Sequence, residues 1–345
     1  MFEKTILVTG GAGFIGTNFV EFFAQAHPEY RIVDLDAITY AGSEEVFEMQ
    51  SRMHNVVPVR GDIRDALLVR RLLQDYDIVG VIHFAAESHV DNSIVNPMLF
   101  VDTNVTGTVT LLNEAMLYWK RTGCLASARF HHVSTDEVYG SLGSEGFFTE
   151  QSPYAPNGPY SASKASSDLL VRAYHRTYGL NATISNCSNN YGPWQNSEKL
   201  IPTILRKSLA HETIPLYGTG SNVRDWIWVL DHCRAVDRIF HEGRSGQSYN
   251  VGAHCEKSNL EMMRTVCGIL DRLAPWRGRR YAELITCVED RPGHDFRYAV
   301  DPSKISTELG WQPLMRFEDG LEQTVRWYVE RHSAQNRRHS ATQEK

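Results

Sequence analysis

Six cysteines in 345 residues, at 124, 187, 233, 255, 267 and 287, include no C-x-x-C pair, so no zinc-ribbon or dithiol pattern exists. Their scatter reads as reduced thiols in a cytoplasmic protein. No apolar run approaches the roughly 18 residues of a membrane span. A signal peptide is also missing: only residues 5–8 separate Lys4 from a glycine-rich turn. Basic residues are not in excess. With 35 Lys and Arg against 41 Asp and Glu, the formal net charge is -6, which removes the global positive field that nucleic acid or an anionic membrane requires. A phosphorylated ligand must therefore be held by local cations and backbone N–H groups. There is no internal repeat and no low-complexity tract. What remains is an ordinary globular composition, 42% hydrophobic and 22% charged, on a chain long enough to bury a sizeable core.

Residues 5–9, 31–36, 56–60, 80–84 and 130–134 read as short apolar strands. Residues 15–26, 67–74 and 104–121 read as helices between them. That alternation predicts an α/β fold, a Rossmann-type doubly wound parallel sheet. The second half is punctured by Pro153, Pro156, Pro159 and Gly192-Pro193 and predicts a smaller, mixed α/β substrate-binding lobe. Residues 182–185 and 248–251 could return to the sheet, while 260–273 and 320–330 read as helices. The expected division is a dinucleotide-binding domain over 1–185, completed by about 225–255, and a lobe from 186–224 and 256–332. The polar residues 333–345 read as a disordered tail.

Between the first strand and first helix lies Gly10-Gly11-Ala12-Gly13-Phe14-Ile15-Gly16. Glycines here allow a tight turn, close approach of a pyrophosphate and tight helix–strand packing, and the helix N-terminus offers N–H donors. The strand–turn–helix setting is what the motif needs to mean a dinucleotide site. The next strand ends in Asp34-Leu35-Asp36. A carboxylate there receives ribose hydroxyls and repels a 2′-phosphate, which favours NAD over NADP. Asp36, nearer the strand end, is the expected ligand, and Asp34 reads as a solvated or capping residue. Asp62 can meet the adenine amino group or cap a helix.

Tyr160-Ser161-Ala162-Ser163-Lys164 opens a helix and places Tyr160 and Lys164 on one face. Bringing a tyrosine from about 10 to neutral pH takes roughly 4 kcal/mol. One cation at about 4 Å with an effective dielectric of about 20 supplies a similar amount. At an earlier strand end, Thr135 can donate to a sugar oxygen. Asp136 and Glu137 follow it. Adjacent carboxyls can divide acid and base roles, or merely open a helix whose dipole favours them.

With these motifs in place, the chain resembles the extended short-chain dehydrogenase/reductase family, in its nucleotide-sugar epimerase/dehydratase branch. The likeness runs from about Thr5 to Tyr328. It is carried by residues 9–16, DAITYAG at 36–42, HFAAESHVDNS at 83–93, STDEVYG at 134–140, YSASK at 160–164, NCSNNYGP at 186–193, EKLIP at 198–202, RDW at 224–226 and DRPGHD at 290–295. The resemblance implies NAD held by Gly10, Gly13, Phe14, Ile15, Gly16, Asp36, Thr39, Asp62, Ile63, Ala85, Ala86, Thr103, Tyr160, Lys164 and Asn190. It implies catalysis by Thr135, Asp136, Glu137, Tyr160 and Lys164. Ser88, Thr135 and Asn189 would meet the sugar, and Lys199, Leu200, Pro215, Tyr217, Arg224, Asn259, Asp290 and His294 the nucleotide. Arg224 would clamp the diphosphate or pair with Asp225.

The implied reaction is the 4,6-dehydration of an NDP-hexose, dTDP-glucose foremost. It runs by oxidation at C4, loss of water across C5 and C6, and return of the hydride to C6. UDP- or CDP-glucose, a 4-epimerase, or a non-catalytic NAD-binding regulator are the alternatives. The family pattern is broken at Asn92, where Arg is usual, at Ala37, where Lys is frequent, and at Trp194-Gln195-Asn196-Ser197. That last stretch is expected nearest the nucleotide.

His83, His89, His131 and His132 raise the question of a metal, but His83 and His132 lie within apolar strands and read as core or sheet histidines, and no metal is expected. Helix 104–121 carries two apolar stripes: Val105, Val109, Leu112, Met116 and Trp119, and Leu111, Ala115 and Tyr118. Helix 160–178 is also apolar on more than one face, and the two helices are expected to pair with their symmetry mates in a homodimer, as the resemblance implies.

Overall fold

The computed structural model describes residues 2–290 and 293–343. Twelve strands follow in chain order: β1 Lys4–Thr9, β2 Tyr30–Asp36, β3 Val56–Arg60, β4 Ile78–His83, β5 Arg129–Thr135, β6 Ala182–Cys187, β7 Asn189–Tyr191, β8 Ile214–Tyr217, β9 Val223–Trp228, β10 Ser248–Val251, β11 Glu256–Ser258 and β12 Ile285–Val288. Seven of them form one sheet in the order β10-β6-β5-β4-β1-β2-β3, and every pairing in it is parallel. The order reverses between β1 and β4. In such sheets a crevice opens there, beyond the carboxyl ends of the strands.

Both faces are covered, which is why these strands read as nearly continuous apolar runs. Side chains alternate along β1. Ile6 and Val8 pack with Phe19, Phe23, Val236 and Phe240 on one face. Leu7 packs with Leu72, Leu112, Trp119 and Val171 on the other. Helix Phe14–Ala26 and the unforeseen helix Val229–Glu242 cover the first face. Helices Ala66–Asp75, Thr108–Thr122 and Pro159–Tyr178 cover the second. The last of these starts with Pro159 at its first turn and stops at Gly179, whose φ is 72°. Pro needs no N–H there, and Gly takes the left-handed stop without a Cβ penalty.

The helix expected at 104–121 begins differently. A π-helical turn, Val101–Gly107, precedes the α-helix. Its second apolar stripe is not left open for a symmetry mate. Leu111, Ala115 and Tyr118 are buried within the one chain, in the same core as helices Ala66–Asp75 and Pro159–Tyr178. A helix lying between two neighbours on a sheet has three covered sides, so two stripes do not require a second copy.

Trp226 and Trp228 of β9 face a second core with Tyr191, Met262, Leu270 and Leu321. The intervening Ile227 faces Tyr249 and Val251 of the large domain, so β9 is the seam between the two cores. Around the second core lie the sheets β11-β9-β7 and β12-β8, with helices Leu200–Leu209 and Asn259–Leu273 and the helix Phe317–Gln343. Two boundaries differ from expectation. Tyr298 and Val300 are buried, and Val300 packs with Val138 and Ala165. Ile305, Leu309 and Trp311 pack on Tyr249 and Val251. Residues 298–311 thus return to the large domain. The polar tail also carries the final helix on to Gln343. It has no Pro or Gly to stop a helix, and polarity alone does not break one.

Candidate active site

A cavity of about 340 Å³ occupies the crevice at the carboxyl ends of the parallel strands. The glycine turn forms its floor. Gly10, with φ +78°, lies so close to Ala85 that a Cβ would stand 2.6 Å from its backbone nitrogen. A Cβ on Gly11 would run into the Asp34 carboxylate. A Cβ on Gly13 would meet only the Gly10 carbonyl oxygen at 3.3 Å and the Ala41 oxygen at 3.9 Å. The backbone at Gly13 is therefore an open cradle for a ligand's approach, at the N-cap of helix Phe14–Ala26.

The two acids of β2 have different tasks. Asp34 is not solvated. It is fully buried beneath the turn, and Gly11 N–H donates to it at 2.9 Å. Burial, reinforced by Asp36, pushes its pKa up to about 8. Asp36 lines the cavity and accepts from Ala12 N–H at 2.9 Å and Ile38 N–H at 2.8 Å. Those bonds fix its carboxylate, and its remaining lone pairs can receive a diol. Asp62 also lines the cavity and is bonded to Arg64 through backbone and guanidinium. The helix N-cap falls instead to Asp65, which accepts from Leu67 and Leu68 N–H.

At the end of β5, residues Asp136–Tyr139 form a single 3-10 turn. Thr135 Oγ1 caps it, accepting from Glu137 N–H at 3.3 Å and donating to Asp136 Oδ1 at 3.2 Å. The acids therefore open a helical turn, and that turn lies on the cavity wall. Burial, then the charges of Glu137 and Asp225, raise Asp136 well above the carboxylate range. Its Oδ2 has no partner among the described residues. A neutral, buried carboxylic acid beside a second carboxyl is the pattern of a paired donor and acceptor.

Tyr160 and Lys164 line the same cavity. Lys164 Nζ donates to the Val133 carbonyl at 2.9 Å, and burial brings its pKa down to about 8. Tyr160 is pushed well above 10 by burial, then by Glu137. The protein's own groups thus hold Tyr160 as a neutral phenol, with Thr135 the group that draws it down. Asn104, in the π turn, was not anticipated. It accepts from Glu87 N–H at 2.8 Å and donates to Ser163 Oγ at 2.8 Å, tying the cavity wall to the Tyr160 helix.

Every residue expected to hold NAD lines this one cavity, as do Ser88, Thr135, Asn189 and Lys199. Lys199 Nζ donates to the Ser88 carbonyl at 2.7 Å. Leu200, Pro215, Tyr217, Arg224, Asn259, Asp290 and His294 do not line it. They lie in the small lobe. Pro215 and Tyr217 are on β8, Leu200 and Asn259 begin helices, and His294 meets Asp290 at 2.6 Å beyond β12. Arg224 is buried over the Tyr298 ring at 4.2 Å and donates to the carbonyls of Val223 and Asp295. It does not take up Asp225, which accepts from Ala253 and Cys255 N–H.

The divergent stretch 194–197 sits on the cofactor side of the cleft rather than beside the small-lobe cluster. Gln195 donates to the Asn190 carbonyl at 3.0 Å and Asn196 to the Tyr40 carbonyl at 3.1 Å. Gln195 and Asn196 line the cavity, as do Glu87 and Glu198, to which sequence reasoning gave no role.

The strand histidines are bonded within the core. His83 lies between Thr9 and Thr108, His131 between Thr183 and Ser185. The one His and carboxylate group among the described residues close enough to share an ion is His27, Asp237 and His241. Its side chains already bond one another at 2.9 and 3.0 Å.

A parallel sheet with a glycine cradle, a ribose-type acid and a Tyr/Lys pair defines a Rossmann enzyme of the short-chain dehydrogenase type. Comparison with known proteins narrows this. The profile of the GDP-mannose 4,6 dehydratase family matches residues 7–324, and the chain belongs to that family. It is 51% identical over 328 residues to a dTDP-glucose 4,6-dehydratase of Xanthomonas campestris, covering 94% of this chain and 93% of the relative. A Salmonella typhimurium dTDP-glucose 4,6-dehydratase is 47% identical over 335 residues, covering 94% and 92%. Among solved structures, a dTDP-glucose 4,6-dehydratase from Streptomyces venezuelae, determined with NAD bound, superposes with TM-score 0.86 at 47% identity, covering 94% and 97%. A UDP-glucose 4-epimerase from Thermotoga maritima shares the fold with TM-score 0.82 at 25% identity, covering 94% and 99%.

Proposed function

We propose that this protein is an NAD-dependent dTDP-glucose 4,6-dehydratase, forming the 4-keto-6-deoxy sugar nucleotide and water for deoxysugar synthesis. The observation that carries the reading is the acid pair. Asp136, held neutral by burial, and Glu137 share one turn on the wall that Tyr160 also lines. A 4-epimerase needs no such pair, and identity to the dehydratases is about twice that to the epimerase.

The C5 proton of glucose is not acidic enough for a carboxylate. It becomes so once C4 is a ketone. NAD, when bound, would supply the two-electron oxidation at C4 and the matching reduction at C6. Thr135 donates to O4; Tyr160, brought to its phenolate by the Lys164 charge together with the cationic ring that NAD would add, takes the O4 proton and becomes the phenol. Glu137 takes the C5 proton. Asp136 protonates the departing C6 hydroxyl, for which a neutral acid is required. Glu137 then returns its proton to C5. The Gly13 cradle, the fixed Asp36 carboxylate and the space over Tyr160 suit NAD. The dTDP arm is assigned to the Arg224, Asp290 and His294 side.

The test is a single turnover with dTDP-glucose. Asp136→Asn should oxidise C4 and accumulate reduced cofactor, dehydrating about 10² to 10⁴ times more slowly. Glu137→Gln should also oxidise C4 but lose solvent deuterium uptake at C5. Full dehydration rates in both variants would end the proposal.

No described helix is long and apolar enough to cross a membrane. A cytoplasmic location is supported by six cysteines, none of them in a disulfide. A homodimer is supported by exposed apolar side chains on helix Pro159–Tyr178 and on the elements beside it, not by the stripe of helix Thr108–Thr122. Val95 is 86%, Met98 61% and Leu169 56% exposed, on elements packed side by side. Light scattering at micromolar concentration should give twice the chain mass, and Leu169→Asp should reduce it.

A further inference from the structure

Asp168 lies fully buried on helix Pro159–Tyr178, four residues after Lys164 and eight after Tyr160, on their face. Burying a carboxylate is costly unless it is paired. An apolar side chain would have packed the helix equally well, so the charge calls for a task.

Its bonds indicate which. Oδ2 accepts from Tyr154 OH at 2.7 Å and from Asn186 Nδ2 at 3.1 Å. That same Asn186 amide donates to the Thr135 carbonyl at 3.2 Å. Oδ1 stands 3.3 Å from His132 Nε2, which is 3.4 Å from Lys164 Nζ. An ammonium only donates and a carboxylate only accepts. The single Nε2 therefore either receives from Lys164 or donates to Asp168, one in each neutral tautomer, and it stands between the two in both.

We propose that Asp168 is a positioning residue for the reaction: it supplies the countercharge that seats Lys164 on Val133, and through Asn186 it fixes the Thr135 backbone from which the acid pair projects. The inference rests on the dehydratase reading above.

The charge logic gives a signed test. Burial lowers Lys164 to about 8, and Asp168 is the largest opposing influence. The other titratable groups around the ammonium come from three strands. His83 of β4 and His132 of β5 are held low by burial, and the Cys187 thiol of β6 is pushed up to about 12. All three are uncharged through the neutral range. Tyr160, on the same helix, is the group Lys164 serves. Removing the Asp168 charge must therefore lower Lys164 further, so that its charge is lost at lower pH.

NAD-loaded wild type, Asp168→Asn and Asp168→Glu should be mixed with dTDP-glucose, and cofactor reduction followed across neutral and alkaline pH. Asp168→Asn should be about 10- to 100-fold slower. Its alkaline limb should move down by about one pH unit, with dTDP affinity within about twofold. Asp168→Glu should bring the limb back. If Asp168→Asn does not fold, Tyr154→Phe should give the same changes, smaller, by loosening Oδ2. A merely structural role would lower thermal stability and leave the limb where it was. A folded Asp168→Asn, or Tyr154→Phe in its place, with wild-type rate and limb overturns the inference. If that happens while Tyr160→Phe is inactive, the dehydratase reading stands. If wild type itself fails to reduce its cofactor, both fall.

Discussion

The two halves of the site are built on different principles. In the large domain, Gly13, Asp36, Thr135 and Tyr160 come from four separate segments yet line one cavity. They converge because parallel strands end at one edge of a sheet, and topology alone brings those ends together. In the small lobe, Arg224, Tyr217, Asp290 and His294 come from short strands and the loops after them, and none lines that cavity. Their side chains are occupied with the lobe itself: Arg224 with the Val223 and Asp295 carbonyls, His294 with Asp290. A sheet edge presents its site ready-made. The loop-built half spends its polar groups on holding its own shape, and under the proposed assignment a nucleotide would compete for them.

This contrast predicts a split in kinetics. Tyr160→Phe should abolish the chemical step, lowering kcat about 10² to 10⁴-fold, with dTDP affinity little changed. Cofactor reduction in a single turnover is the measurement. An equal loss of affinity would show that the two halves do not act separately. Arg224→Gln should do the reverse, raising KM about tenfold, the worth of roughly one charge-assisted bond, with kcat within about threefold. It should also lower thermal stability, because three backbone carbonyls lose their donor. A stability loss with unchanged KM would assign Arg224 to loop structure only and move the diphosphate elsewhere.

The same contrast explains what could be read from the sequence. Strands β1 to β6 carry short, nearly continuous apolar runs between glycine and acidic punctuation, and they fall within a residue or two of expectation. β7 and β11 have three residues each, too few for any period to show. Helix Val229–Glu242 was legible but overlooked: Val229, Cys233, Val236 and Phe240 face inward at spacings of three and four. Asp168 was legible too, since Lys164 and Asp168 repeat the four-residue spacing of Tyr160 and Lys164. The task of Asn104 was not. Nothing local marks one polar residue in an apolar helix as the clamp for a loop seventeen residues away. The second stripe of helix Thr108–Thr122 misled because periodicity counts buried faces without saying which neighbour buries them.

Asp34 and Asp36 bring the comparison down to one strand. Two residues apart, they share a face of β2, and only depth separates a structural acid from a ligand-binding one. Asp34 is raised to about 8 by burial first, against about 3.9 in an unfolded chain. Between those values the unfolded chain gives up its proton while the folded chain keeps it. The folded state then binds more protons, so stability must fall as pH rises through this window and level off above it. Asp34 Oδ2 lacks a partner among the described residues, and protonation makes it a donor without leaving a buried charge. Asp34→Asn carries that donor permanently and still accepts from Gly11 N–H. It should match wild type near pH 4 and melt roughly a few degrees higher near pH 8. Its preference for NAD over NADP should be unchanged, because Asp36 keeps its bonds to Ala12 and Ile38. Parallel melting curves against pH for the two proteins would show that Asp34 is ionised under the turn. A switch toward NADP would show that the two acids share the ribose.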